Sequence, residues 1–222
     1  YVNAYEQKMF MKRETIANKG IWTAKKRYIL NAWDIEGVRF EKPKLKMMGI
    51  EAVKSSTPGA CRTKIKEALE IMMSGTEDDL QKFVSNFRQQ FEKMPLEDIA
   101  FPRGCNNIAK NSSPHSIYGK SCPIHVRGAL LYNHYVKKHK LTHKFPLIQE
   151  GEKIKFLYLR KPNRINENVI SFFQTLPTEF GLDKQVDYEL QFQKSFLDPL
   201  KAILDTMGWH HEPQATLEFL FG

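Results

Sequence analysis

Thr76-Glu77-Asp78-Asp79, followed by Leu80, Phe83, Val84, Phe87 and Phe91, constrains the fold of this chain more than any other stretch. A hydroxyl residue with an acidic side chain three places on is a variant of the capping box, in which each side chain satisfies the other residue's backbone N–H. The apolar positions that follow recur at intervals of three and four, so they share one face of a helix. Such an aromatic stripe reads as core and not as a ligand site, and Asp78 and Asp79 serve the helix dipole.

Other segments add to this pattern. Ser55-Ser56-Thr57-Pro58 predicts a helix start, with a hydroxyl cap and a pre-set first φ, and Ile65, Ala68, Leu69 and Met72 follow at helical spacing. A third helix is expected from about 123 to 138 and a buried strand over 153–160. A long helix is expected over 187–207, with Phe192, Phe196, Leu200, Ile203 and Met207 inward and a kink at Pro199. The first 50 residues read differently. Residues 9–16 and 21–33 predict strands separated by Asn18-Lys19-Gly20, with a turn at Asp34-Ile35-Glu36-Gly37 and a return strand from Val38, interrupted by Pro43. The expected class is therefore α+β: a small antiparallel sheet followed by a mainly helical region with a few strands.

Lys25-Lys26-Arg27-Tyr28 falls inside the longest of those expected strands. Alternation in an extended strand sends Lys26 and Tyr28 to one side and Lys25 and Arg27 to the other. Charge and aromatic surface then reach one partner, as contact with a nucleic acid requires. Lysines that protect an edge strand from aggregation give the same pattern, so both readings stand at this point.

With 34 Lys and Arg against 25 Asp and Glu, the chain carries a formal charge of +9, which speaks to acidic partners and not to fold. The excess is concentrated in the first 50 residues and over 103–164, with an acidic block between them. The second basic block interleaves its cations with Asn106, Asn107, Ser112, Ser113 and His125, side chains suited to phosphate. Cys61, Cys105 and Cys122 are too few and too irregular for a disulfide framework and suggest a reducing compartment. No apolar run is long enough to span a bilayer, and no secretory signal opens the chain, so a cytoplasmic location without membrane contact is expected. Cys122-Pro123-Ile124-His125 has metal-like spacing, but no second close ligand pair accompanies it, so no metal site is expected. Nucleophile-elbow, P-loop and dinucleotide motifs are absent. Leu217, Phe219, Leu220 and Phe221 form an apolar end that either docks on its own domain or anchors in a partner's pocket.

Several segments in order carry a resemblance. They are Trp22-Thr23-Ala24-Lys25-Lys26-Arg27-Tyr28, Pro43-Lys44-Leu45-Lys46-Met47-Met48-Gly49, Lys54-Ser55-Ser56-Thr57-Pro58, Asn106-Asn107-Ile108-Ala109-Lys110, Cys122-Pro123-Ile124-His125-Val126-Arg127-Gly128, Phe192-Gln193-Lys194-Ser195-Phe196 and the tail from Leu217 to Gly222. Together they resemble the C-terminal region of a family B DNA polymerase of the kind that replicates T-even-like bacteriophages. The resemblance implies that residues 1–52 finish the palm, 53–212 form the thumb and 213–222 are a tail that docks on the sliding clamp through Leu217, Phe219, Leu220 and Phe221.

It also implies that Lys25, Lys26, Arg27 and Tyr28 lie along the minor groove near the primer end. Phosphates would fall to Lys54, Ser55, Lys110, His125, Arg127 and Lys194. The metal-binding aspartates of the family lie upstream of the Lys-Lys-Arg-Tyr motif, so this segment is expected to hold no catalytic residue and no cofactor. Mg2+ belongs to the parent enzyme. The implied partners are primer-template duplex, the clamp and the catalytic N-terminal portion, in the cytoplasm of an infected bacterium. Because the chain starts at Tyr1, a fragment, a processed product or a cropped sequence is expected. Three positions depart from the family pattern: Ser121 stands in place of a lysine before Cys122, Asp198 in place of a second lysine before Pro199, and Lys161-Pro162-Asn163-Arg164 in place of a glycine-rich turn. The alternative is a stand-alone nucleic-acid-binding or processivity module without a catalytic parent.

Overall fold

The computed structural model describes residues 12–214 and has an α+β architecture. Strands β1 (Thr15–Ala24), β2 (Arg27–Ile35) and β3 (Val38–Met48) form one antiparallel sheet in that order. The first expected strand falls partly outside the described residues; among those, strand pairing is first seen at Thr15. Asn18-Lys19-Gly20 does not separate a pair of strands but lies within β1, where irregular register between Ile16 and Lys19 absorbs it. The turn at Glu36-Gly37 stands where the sequence places it, with the Asp34 carboxylate accepting from the Gly37 N–H at 2.9 Å.

The Lys-Lys-Arg-Tyr segment is not mid-strand. Ala24 pairs with Arg27, so Lys25 and Lys26 form a two-residue hairpin tip, and Lys26 has a left-handed backbone at φ 59°. Strand alternation therefore does not place Lys26 beside Tyr28. Tyr28 instead stands in register between Trp22 and Met48. Gly49, just past β3, lets this tip close against the chain: at φ +69°, an added Cβ would lie 2.5 Å from the Lys26 carbonyl oxygen.

After a 3-10 turn at Glu51–Val53 come helices α1 (Gly59–Ser74) and α2 (Glu77–Phe91). The expected hydroxyl cap of α1 does not form, because Pro58 itself occupies the cap with extended backbone. The capping box of α2 does form: Asp79 N–H donates to Thr76 Oγ1 at 3.3 Å and Thr76 N–H to Asp79 Oδ2 at 3.0 Å. Leu80, Val84, Phe87 and Phe91 are buried, and their cover is the last helical region. Phe87 meets Phe196 edge-on at 4.8 Å between ring centroids, and Phe91 meets Phe192 at 5.2 Å.

That last region is not one α-helix kinked at Pro199. It runs as α5 (Tyr188–Phe192), a π-helical turn over Gln193–Leu197 and α6 (Asp198–Met207), with Pro199 in the first turn of α6, where a missing N–H costs little. Between these halves lie a single turn, α3 (Leu96–Ile99), helix α4 (Ile124–Lys138) and a second antiparallel sheet of β4 (Phe101–Gly104), β5 (Lys153–Tyr158) and β6 (Val169–Phe172). Helix α4 and strand β5 stand where the sequence predicts them, whereas β4 and β6 carry little signal of their own. Pro102 sits acceptably in β4 because β4 is an edge strand, and β6 is only four residues long and wholly buried. Gly128 lets α4 press on β6, since a Cβ there would come within 2.9 Å of the Ser171 backbone nitrogen. One continuous apolar core joins Ile21 and Ile29 of the first sheet to the helices and to the second sheet.

Gly49→Ala tests the closure of the hairpin tip. It is expected to cost about 1–3 kcal/mol, from backbone strain and the clash with Lys26, read as a lowered urea midpoint. An unchanged midpoint would show that the tip does not depend on this approach.

Candidate nucleic-acid interface

Arg27 anchors the site. As the first residue of β2 it points its guanidinium away from the hairpin and forks onto Glu51, at 2.9 Å to Oε1 and 2.6 Å to Oε2. It also donates to the Gly49 carbonyl at 3.2 Å and, at the limit of 3.5 Å, to that of Pro199. Lys54 donates to Glu51 Oε1 at 3.0 Å. Burial alone would raise the Glu51 carboxyl, but hydrogen bonds from Arg27 and Lys54 outweigh it and hold the group below its ordinary value. The stability this pairing lends is present above the ordinary carboxylate range and is lost as pH falls through the lowered value.

Opposite this cluster, Lys194 leaves the π-helical turn and donates to Asp198 Oδ2 at 2.8 Å, while Gln193 donates to Oδ1 at 2.6 Å. Burial opposes ionisation of Asp198, yet these donors keep its carboxyl below the usual range, and the hydrogen bond to Asp198 raises the Lys194 ammonium. Arg103 on β4 closes the third side. It donates to the Ser56 carbonyl at 2.5 Å, beside the Phe101 and Phe156 rings, and partial burial lowers its pKa. Arg27, Lys54, Arg103 and Lys194 thus line one cleft of about 320 Å³ with Glu51 and Asp198 between them. Four cations against two carboxylates leave a net positive hollow.

A second, smaller hollow shares Ser56 and Arg103 with the first and extends to Ser55 and Lys153. The sheet makes this join, since Gly104 pairs with Lys153 in the β4–β5 register. The result is a basic groove running from the base of the hairpin to the second sheet.

Of the sequence-predicted residues, Arg27, Lys54, Ser55 and Lys194 border this groove. Lys25 and Lys26 are exposed at the hairpin tip next to Arg27, and Tyr28 is half-buried. His125 sits beyond Arg103. Burial first, and the Arg103 charge second, push its imidazole below the ordinary value, leaving it neutral at pH 7. It is a hydrogen-bonding group there and not a cation. Arg127 and Lys110 lie outside the cleft. The Arg127 guanidinium donates to Asn168 Oδ1 at 2.8 Å, with its Nε buried, and Lys110 is exposed on a 3-10 turn at Ala109–Asn111. The tail positions Leu217, Phe219, Leu220 and Phe221 lie outside the described residues.

Arg103 and Lys153 had no place among the predicted contacts. Their one signal was membership of the basic block, and only the pairing of β4 with β5 brings them to Ser55 and Ser56.

Ser195 is fully buried and donates to the Gln191 carbonyl at 2.6 Å. Burial pushes the nearby Cys61 thiol up to about 11, so it remains protonated. Among the described residues, no three His, Cys, Asp or Glu side chains converge to hold a metal ion, and no helix is long and apolar enough to cross a membrane.

Directed donors on a net positive groove suit the binding of an extended polyanion. Similarity to known proteins runs from end to end of this chain. It is 35% identical over 234 aligned residues to the DNA-directed DNA polymerase of Enterobacteria phage T4, covering 100% of this chain and 26% of that polymerase. This chain is similar to a segment of phage DNA polymerases. The DNA-directed DNA polymerase of Escherichia phage RB69 agrees, at 37% identity over 233 residues, 100% of this chain and 25% of its own length. The chain therefore spans about a quarter of the length of the curated relatives it matches. No family model matches it.

Two measurements probe the site. Asp198→Asn removes the carboxylate that Lys194 serves, and it is expected to strengthen binding of a DNA duplex several-fold and to steepen the dependence on salt by about one phosphate. A weakened complex would show that Asp198 positions Lys194 instead of competing for it. In an NMR titration, His125 is expected to have a midpoint below 6.5 that rises in Arg103→Gln. No movement on removing Arg103 would refute their coupling.

Proposed function

We propose that this chain is the C-terminal palm segment and thumb of a phage-type family B DNA polymerase, and that it grips primer-template duplex behind the site of nucleotide addition. The carrying observation is the groove of Arg27, Lys54, Arg103 and Lys194 in a chain similar throughout to phage DNA polymerases. On this reading residues 1–52 complete the palm, 53–212 are the thumb and 213–222 engage the sliding clamp.

Phosphates compete with Glu51 and Asp198 for the groove's cations. The duplex is then held by exchanging one set of anions for another, which suits a grip that must slide with each added nucleotide. Contacts of this type carry no sequence information, as a general polymerase requires. Lys25 and Lys26, projecting from a hairpin tip, extend to the minor groove, where acceptors at A·T and G·C pairs occupy similar positions. Arg27 and the close approach of Gly49 hold the base of the tip, which suits it to test pair geometry at the primer end. The reading leaves nucleotidyl transfer, and the Mg2+ it would use, to the parent enzyme. Among the described residues no three His, Cys, Asp or Glu side chains converge, and the reading assigns the metal ligands to the remainder of the polymerase.

Fluorescence anisotropy with a labelled primer-template checks the grip. If the four groove cations each neutralise one phosphate, affinity is expected to fall on the order of 100-fold between 50 and 200 mM salt. Binding that ignores salt would sink the proposal. In the complete polymerase, Lys26→Ala is expected to slow extension from a paired primer without lowering thermal stability. Undiminished extension would remove Lys26 from the primer contact.

A further inference from the structure

Lys153 borders two hollows. On one side it completes the basic groove with Ser55, Ser56 and Arg103. On the other it stands at a cavity of about 540 Å³, larger than the cleft beside Arg27, whose walls are Tyr132, Phe145 and Phe173. That volume lies within the range of about 300–1,000 Å³ typical of small-molecule sites. Aromatic walls with a lysine at the junction to a phosphate-suited groove are an arrangement with a specific use.

The walls are held firmly. Tyr132 is only 2% exposed, and its ring meets Phe173 edge-on at 6.2 Å and Phe180 at 5.9 Å. Burial alone pushes its hydroxyl up to about 12, with no hydrogen-bond partner contributing to the shift. The hydroxyl is thus neutral at pH 7 and lines the cavity. Lys144 lies 5.0 Å from the Phe145 ring centroid and is ion-paired with Glu179, and Gln174 and Thr175 add exposed polar groups at the mouth. The site combines flat apolar faces, a few hydrogen-bonding groups and cations. A nucleotide has the matching features: a flat base, polar edges and a phosphate.

We infer that this cavity takes one unpaired nucleobase from a single-stranded extension of the DNA held in the groove, with the adjoining phosphate on Lys153. The inference rests on the groove being a DNA site, because Lys153 is what links the two. Base stacking on aromatic side chains does not depend on sequence, since every base has a π-face. Lys153 hands the backbone from groove to cavity, Phe145 and Phe173 receive the base, and Tyr132 and Gln174 meet its polar edge.

The complete chain is titrated with two DNAs: a blunt duplex, and the same duplex bearing a short single-stranded overhang that contains 2-aminopurine. The overhang is expected to tighten binding on the order of tenfold, the scale of one stacked base, and its fluorescence to be quenched. Phe145→Ala should remove both effects and leave blunt-duplex affinity unchanged. Because Phe145 is partly buried, the exposed Gln174→Ala serves as a second variant, expected to reduce the overhang's advantage without touching the fold. Equal affinity for the two DNAs with unchanged fluorescence would overturn the cavity's role and leave the groove standing. An advantage that survives Phe145→Ala would also overturn it. Quenched overhang binding without blunt-duplex binding would overturn the groove and, with it, the inference as stated. Failure to bind either DNA would overturn both.

Discussion

The fork between Arg27 and Glu51 is the interaction on which the rest of the arrangement depends. It joins the first sheet to the turn that leads into α1, and the same guanidinium reaches the backbone at Gly49 and Pro199. Three regions of the chain distant in sequence are thereby held by one planar cation. Bidentate charge-assisted pairs specify geometry as well as adding energy, and a lysine has no equivalent fork. Arg27 and Glu51 are each largely screened from water, with side chains 23% and 21% exposed, so loss of either partner strands the other. The carboxylate that builds the hinge also pairs with Lys54, so structure and charge presentation share one group.

A second buried polar link does for the far side what Arg27 does for the near one. Gln191 is fully buried, donates to the Ile99 carbonyl at 2.7 Å and accepts from the Tyr158 N–H at 3.2 Å. It ties the last helical region to β5 and to the end of α3, at the edge of the phenylalanine cluster that covers α2. The π-helical turn follows directly, and it presents Lys194 beside Asp198 while keeping Ser195 and Phe196 buried. Apolar packing supplies the stability of this region, and the buried amide selects one seating of the helix among those that packing alone would allow.

Local physics made some elements legible and hid others. The capping box at Thr76 and the stripe to Phe91 depend on neighbours within four residues, so reading them needed no knowledge of the fold. The turn at Glu36-Gly37 carried its own Asp and Gly signals. By contrast, Lys25-Lys26 has no glycine, asparagine or proline to mark a turn. Its left-handed residue is tolerated because Gly49 leaves room for the Lys26 carbonyl and Arg27 fastens the strand behind it. The helix break before Pro199 was visible only as a proline, whereas the distortion itself is a π-turn one step earlier. Strand β4 was hidden by Pro102, which an edge position accommodates, and by Gly104, which weakens a strand signal.

The residue types needed to hold an anionic polymer, their concentration in two basic blocks and the resemblance to phage polymerases could all be read from the chain, because charge and motif order are properties of sequence. Which cations stand together could not. Arg103 and Lys153 reach Ser55 because β4 pairs with β5, and Lys194 reaches the cleft that Arg27 and Lys54 line because the last helices fold back past the first sheet. The same folding turned Arg127 toward Asn168 and left His125 neutral beside Arg103. Proximity between residues far apart in sequence, and the burial that shifts their charge, arise only when the elements pack. That packing decided the path of the groove and set Glu51 and Asp198 among its cations.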